Sequence, residues 1–408
     1  MGIVDRLRRS PRDRFGREVV AALHRAGIPE ARYDADGFAV AYRKAPDDHE
    51  GGRVFLHNVF RESAGLGRAA RQEKISRLIA GVVRAPAVPT GWDEVRPQLR
   101  PVLRSAHFGL VGPVAADTLL SRPALPHLRE YVVMDRPTSM AYVTTAQASG
   151  WDRPPAEVFA AARANLAATS LAARSAAAGS GANEAPDRGG PAMLRYIDAG
   201  EGYFTSRLLL DGWLAGLAGE VGGRPVAFVP DRDTLIVVGD RPETLPGLYS
   251  LVEAEYSAAV RALSPQGYTV DSGGALIPYP APADHPALAA AVRRADLLLL
   301  ANEYAAQGEW LEGRSGDVFV AALSVIGRPD DSIFTVTSWA EGIESLLPRA
   351  EYVAFTAADR EPFFVSWPDV AAEVTFDAEP DLSPPRYRVR GWPPPDAVTR
   401  LRARATRP

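Results

Sequence analysis

An α+β protein of mixed helices and mostly antiparallel sheets, closing in a C-terminal helix-plus-meander module, is what this sequence predicts. Three observations carry the prediction. Apolar stripes at helical spacing open and close on capping signals. Apolar runs of strand length arrive in sequential pairs with short polar turns, where a parallel sheet would interpose helices. The chain has 408 residues, 46% of them hydrophobic and 24% charged, enough for several cores and too apolar for global disorder. Four segments follow: a helix–hairpin–helix module over 1–100, a central α+β domain over 101–283 with a mobile loop at 172–192, a helix plus antiparallel sheet over 284–379, and a Pro-rich tail with a short basic helix over 380–408.

The elements are justified in order. Ser10, Pro11 and Asp13 open a helix whose apolar stripe is Phe15, Val19, Val20 and Leu23, and Gly27 with Pro29 stops it. "GFAVAY" and "RVFLHNVF" read as two strands around the polar loop "APDDHEGG". A helix follows at 68–84, with Ile75, Leu78, Ile79, Val82 and Val83 on one face. "REYVVM" and "MAYVTT" form the next strand pair, and Pro154 and Pro155 start a helix through Val158, Phe159, Ala162 and Leu166. The stretch 172–192 has no periodicity and almost no large apolar residue, hence the loop. "MLRYID" resumes as a strand, "SRLLLDGWLAGL" reads as a helix, and "PVAFVP" and "DTLIVVG" pair around "DRD", a good turn. A helix begins near 244. A long helix runs from about 286 to 312 on the stripe Leu288, Val292, Ala295 and Leu299. Four strand-like runs then end the fold: "DVFVAALSVI", "SIFTVTSW", "EYVAFTA" and "PFFVSW".

Composition excludes several classes. There is no cysteine, so disulfides, thiolate metal sites and a cysteine nucleophile are out. Net charge is -4 with a pI of about 6.0, and the cationic stretches 6–17 and 400–407 are short, which argues against nucleic acid. Lysine occurs only at Lys44 and Lys74, an arginine bias that reads as genome composition. No apolar run reaches the length of about 18 residues that a membrane span needs, and the start lacks the apolar stretch of a signal peptide; a cytoplasmic protein is expected.

The segments "RPVLRSA" (100–106), "YVVMDRPTSMAYVT" (131–144), "AEVFAAARANL" (156–166) and "PVAFVPDRDTLIVV" (225–238) carry a resemblance. In order and spacing, the stretch from about 15 to 256 resembles the YtpQ-like family of bacterial proteins. That resemblance implies lineage and no particular chemistry, because the family brings no established activity or catalytic residues. Loop 172–192 and the C-terminal module depart from its pattern.

Motifs that would announce chemistry are weak. "GLGRAA" (65–70) has the glycine spacing of a dinucleotide loop, but "RAPAVPTGW" after its helix cannot be the second buried strand such a site needs. "DDHE" (47–50) with His57 offers metal-ligand types on what reads as a charged hairpin tip, and no metal or cofactor is expected. A polar cluster could be drawn from distant segments: Asn58, Arg61 and Glu62 near one strand end, Arg104 and His107 around a turn, Asp135, and Asn165 on the edge of a helical stripe. Each has a structural alternative, and Asn165 is expected to pin its helix by bonding a neighbouring turn. In the C-terminal module Trp339 ends its strand and Phe363 and Phe364 are adjacent, so one must face outward; these three are the candidate partner surface. The expected function is a non-catalytic module binding a protein partner through that sheet. The alternative is a hydrolase or nucleotide-handling enzyme built on the polar cluster.

Overall fold

The computed structural model describes residues 11–35, 38–43, 52–84, 91–111, 119–136, 139–179, 193–197, 203–312, 314–328, 332–380 and 382–408. The architecture is α+β with mostly antiparallel sheets, as the pattern predicts. Among the described residues no helix is long and apolar enough to cross a membrane.

The N-terminal unit packs helices Pro11–Arg25 and Arg68–Arg84 on the antiparallel sheet β1 (Glu30–Asp34), β2 (Ala39–Arg43) and β3 (Gly52–Phe55). Phe15, Val19 and Leu23 meet Ile75, Ile79 and Val82 in its core. The run "RVFLHNVF" is not one strand. Leu56 makes the last sheet-side bond, donating to the Phe38 carbonyl, and its own carbonyl then takes the Phe60 amide and starts helix His57–Glu62. Asn58 and Arg61 therefore sit on a helix, and their side chains lie outside the described residues, as does the "DDHE" loop. "GLGRAA" follows a helix, so the strand a dinucleotide loop requires is missing from its place.

In the central unit β6 (Leu128–Arg136) pairs along its length with β4 (Leu99–Ser105) on one side. On the other side it pairs with β5 (Ser121–Leu125) and then β7 (Ser139–Tyr142). Among the described strands only β6 pairs with β4, so Pro101 costs no ladder bond on the other edge. Helix Pro155–Gly179 covers β4 with Val158, Phe159, Ala162 and Leu166. This helix continues through 172–179, the first part of the expected loop; 180–192 lie outside the described residues. "SRLLLDGWLAGL" folds as two 3₁₀ turns, Thr205–Leu209 and Ala215–Leu217, split where Gly212 takes φ 71°.

A second sheet runs β12 (Leu276–Pro278), β11 (Ala262–Val270), β9 (Pro225–Asp231), β10 (Thr234–Gly239) and β8 (Leu194–Ile197), antiparallel throughout. One face shares an apolar cluster with Leu103, Leu125 and Leu128 of the first sheet. The other is covered by helices Leu245–Ala258 and Pro286–Leu311. β11 was hidden in the sequence by Pro265 and Gly267, which form a bulge where the register jumps between Ser264 and Gly267. A Cβ at Gly267 would stand 2.5 Å from the Tyr249 hydroxyl, so only glycine fits under that helix.

The C-terminal half of the long helix leaves this sheet and enters the last unit. There β14 (Ser324–Gly327), β15 (Ile333–Ala340), β17 (Tyr352–Ala357) and β18 (Arg360–Ser366) form one sheet. The other runs β13 (Phe319–Val320), β16 (Glu344–Pro348), β20 (Arg386–Arg390) and β19 (Asp377–Ala378). Helix and strands are present as expected, but their order is no simple meander: β15 and β17 are parallel because β16, between them in sequence, belongs to the other sheet. β20 comes from the Pro-rich stretch, which is therefore built into the unit. Trp392 of that stretch donates to the Trp339 carbonyl at 2.9 Å, and Trp339 donates back to Gly391 at 3.0 Å.

Candidate anion-binding site

The site begins at the end of β4. Side chains alternate along a strand, so Val102 and Arg104 face one side and Leu103 and Ser105 the other. On the Arg104 side, Phe108 packs edge-on to Tyr131 with ring centroids 5.4 Å apart and lies 5.1 Å from Tyr142. Arg104 donates from Nε to the Tyr142 hydroxyl at 2.6 Å and from Nη1 to its neighbour's carbonyl, Leu103, at 2.6 Å. Its guanidinium lies 5.8 Å from the Phe108 centroid.

A second guanidinium comes to the same ring. Arg232 sits in the turn between β9 and β10, 5.0 Å from the Phe108 centroid. The turn is rigid: Asp231 accepts from the Asp233 amide at 2.7 Å and from the Thr234 hydroxyl at 3.2 Å, and the Arg232 amide donates to the Arg261 carbonyl at 3.2 Å. Its Nε is sealed from solvent, with no hydrogen-bond partner among the described residues. Burial, with Arg104 as the second cause, pushes the Arg232 guanidinium down to about 9. A guanidinium holds its proton near neutral pH, so the fold carries the cost of an unneutralised, desolvated cation.

Around this pair stand groups that shape the site. Asp135 bonds the Tyr203 hydroxyl, whose pKa is raised first by burial and then by that carboxylate. Glu62 takes Lys74 at 3.1 Å and reaches Arg261 at 3.6 Å, and Arg261 reaches Asp233 at 3.8 Å. The ion-pair chain thus ends one residue from Arg232.

Of the sequence candidates, Arg104 lies here and Glu62 reaches the rim through Arg261, whereas Asp135, just past the Leu99–Met134 pair at the other end of β4, is connected to it only through Tyr203. His107 turns away. Its backbone N–H donates to Glu303 Oε2 at 2.9 Å and its ring Nδ1 meets Glu303 Oε1 at 2.8 Å, docking the long helix on the end of β4. Asn165 is at the far end of β4, where its amide donates to the carbonyls of Arg96 (2.7 Å) and Leu99 (3.0 Å), the pinning geometry expected of it. The candidate partner surface is displaced inward. Trp339 is 2% exposed and stacks on Phe355, and buried Phe363, opposite Phe355 on the next strand and on the same face, stacks on it at 4.9 Å. The second sheet and the Trp392 stretch cover them, which a four-strand reading could not supply. Only Phe364 faces the other way, half-buried against Phe334, Val336 and Ala354.

Residues missed by sequence reasoning are Arg232, Phe108, Tyr142 and Tyr203. "DRD" reads as a turn because its aspartates do cap it; nothing in the triplet shows that the arginine between them points inward. Glu303 was legible, being the next step, four on, of the stripe Leu288, Val292, Ala295, Leu299, where a carboxylate is out of place.

No protein-family model, no curated protein and no solved structure matches this chain.

Proposed function

We propose that this protein recognises an anionic small molecule, a phosphate or carboxylate group, at the Arg104–Arg232 site. The observation that carries the reading is the buried Arg232 Nε without a partner beside a second guanidinium, neither one paired to a carboxylate among the described residues. The two guanidiniums stand 5.8 and 5.0 Å from one ring centroid and the Arg104 charge pushes the Arg232 pKa down, a repulsion that a bound anion would relieve, and a planar guanidinium suits an oxyanion. Asp233, the carboxylate whose charge acts on Arg232, also faces Arg261 at 3.8 Å, and Asp231 is occupied by its own turn. The reading follows the nucleotide-handling branch of the sequence expectation. Kinship with the YtpQ-like family is proposed on the four quoted segments and adds no activity.

The test is titration calorimetry of the full chain with inorganic phosphate and with a nucleoside monophosphate. Saturable binding of either, lost in Arg104→Met, supports the reading; no heat from either ligand refutes it.

A second reading keeps one observation of its own. β14 is an edge strand, and Val325 and Ile326 on it are exposed, so a protein partner adding a strand there remains the place to test the binding-module expectation.

A further inference from the structure

On the opposite face of β4 from the arginines, three side chains line up. Ser105 Oγ is 3.2 Å from His107 Nε2, and His107 Nδ1 is 2.8 Å from Glu303 Oε1. Glu303 is 1% exposed and its other oxygen is held by the His107 amide at 2.9 Å. An acid on Nδ1 fixes the tautomer: Nδ1 carries the proton toward the carboxylate, and Nε2 is left to accept from the serine. Nucleophile, base and orienting acid thus stand in the relation that activates a serine. Nothing in a merely structural contact demands the serine, because the His107–Glu303 pair alone docks the helix.

We propose that Ser105, His107 and Glu303 form a nucleophilic array that hydrolyses small esters. Ser105 Oγ adds to the ester carbonyl while its proton passes to His107 Nε2. The carbonyl carbon–alkoxy bond then breaks, and the leaving alkoxide takes that proton as an alcohol. Water repeats the sequence on the acyl-serine, releasing a carboxylic acid and restoring the serine. Glu303 is a positioning residue, stabilising the imidazolium that forms in each half. Ser105 is itself buried while the His107 side chain is about one-third exposed, so the acyl group that fits is short and enters past the imidazole. Buried Tyr256 and half-buried His127 also sense the Glu303 charge, and Glu303 itself is 1% exposed, a site of low polarity.

The array shares no residue with the anion site, so ester turnover and anion binding are read by different measurements and the two proposals fail separately. The test treats the full chain with a fluorophosphonate probe and p-nitrophenyl acetate and maps the adduct by peptide mass spectrometry. The expected result is one adduct, on Ser105, and ester turnover reduced at least a hundredfold in Ser105→Ala. Glu303→Gln keeps an acceptor for the His107 amide; it is expected to lose at least tenfold in kcat with KM little changed and to displace the acid limb of the pH–rate profile. An adduct elsewhere, no adduct on the folded protein, or undiminished turnover in Ser105→Ala overturns the proposal.

Discussion

Arg386 and Arg232 are both arginines drawn out of water, and they have opposite surroundings. Arg386, buried between the long helix and the β16–β20 sheet, donates from Nη1 to the carbonyls of Ala321 (2.7 Å) and Leu346 (3.2 Å). Its Nη2 donates to Tyr304 (2.7 Å) and its Nε to Gln307 Oε1 (3.1 Å). Gln307 and Tyr304 in turn donate to the carbonyls of Pro384 and Pro385. Arg232 has an aromatic face, a like charge and an orphaned Nε. Burial lowers both guanidiniums, to about 10 for Arg386 and to about 9 for Arg232, yet only the first is compensated by acceptors. A buried cation with an acceptor at every nitrogen belongs to the architecture; one left unsatisfied belongs to whatever arrives to satisfy it.

The contrast can be broken most severely at Arg386. Arg386→Met removes a donor from the carbonyls of Ala321 and Tyr304 and from Gln307 Oε1, at about 1–3 kcal/mol each before relaxation, while the Leu346 carbonyl keeps the Ala321 amide at 3.1 Å, so a loss of roughly 3 kcal/mol is expected in urea unfolding. A loss under about 1 kcal/mol would show that the acceptors find water and that Arg386 is no keystone.

Glu130 sharpens the comparison with a carboxylate between cations. Fully buried, it takes Arg163 through two bonds at 2.8 Å each and Arg122 at 2.7 Å, tying helix Pro155–Gly179 to β6. Both arginines are partly exposed, so solvent blunts the loss of either bond. Glu130→Gln is expected to cost about 2 kcal/mol, less than Arg386→Met, by the same denaturation assay. Equal costs would erase the distinction between a solvated and a sealed cation.

A smaller effect comes from His127, in the turn before β6. Burial lowers its pKa, against the pull of Glu303 upward. A base with a depressed folded-state pKa contributes stability that is intact above its unfolded value of about 6.5 and declines as pH falls from there toward the folded value. His127→Asn, which tolerates the residue's φ of 60°, should flatten the decline below pH 6.5 and leave stability at pH 8 nearly unchanged. An identical pH slope in the variant would remove His127 from the account.

Much of the fold was legible because its signals are local. Helices Pro11–Arg25, Arg68–Arg84 and Pro286–Leu311 follow from stripe spacing, the first and last also from proline at their starts, and β9 with β10 from two apolar runs around a capped turn. What escaped was nonlocal or irregular. β11 carries a proline and a glycine at a bulge, and β16 and β20 become strands only through each other, Leu346 opposite Arg388. The site shows the same divide. Arg104 and Asp135 could be named because each stands out against apolar neighbours. Arg232 lies 128 positions beyond Arg104 in a turn whose own chemistry explains it fully. Its meaning appears only when Phe108 is found in reach of both guanidiniums, 5.8 Å from Arg104 and 5.0 Å from Arg232.

The most direct measurement is unfolding stability of wild type and Arg232→Met across a phosphate titration. Without phosphate the variant should match or exceed wild type by up to about 1–2 kcal/mol, because an uncompensated buried cation has been replaced by an apolar side chain. With phosphate, wild type alone should gain, by about 2.7 kcal/mol when the anion stands a hundredfold above its dissociation constant. A variant less stable than wild type without anion, or stabilised by phosphate to the same degree, would contradict the assignment of Arg232 as an anion ligand.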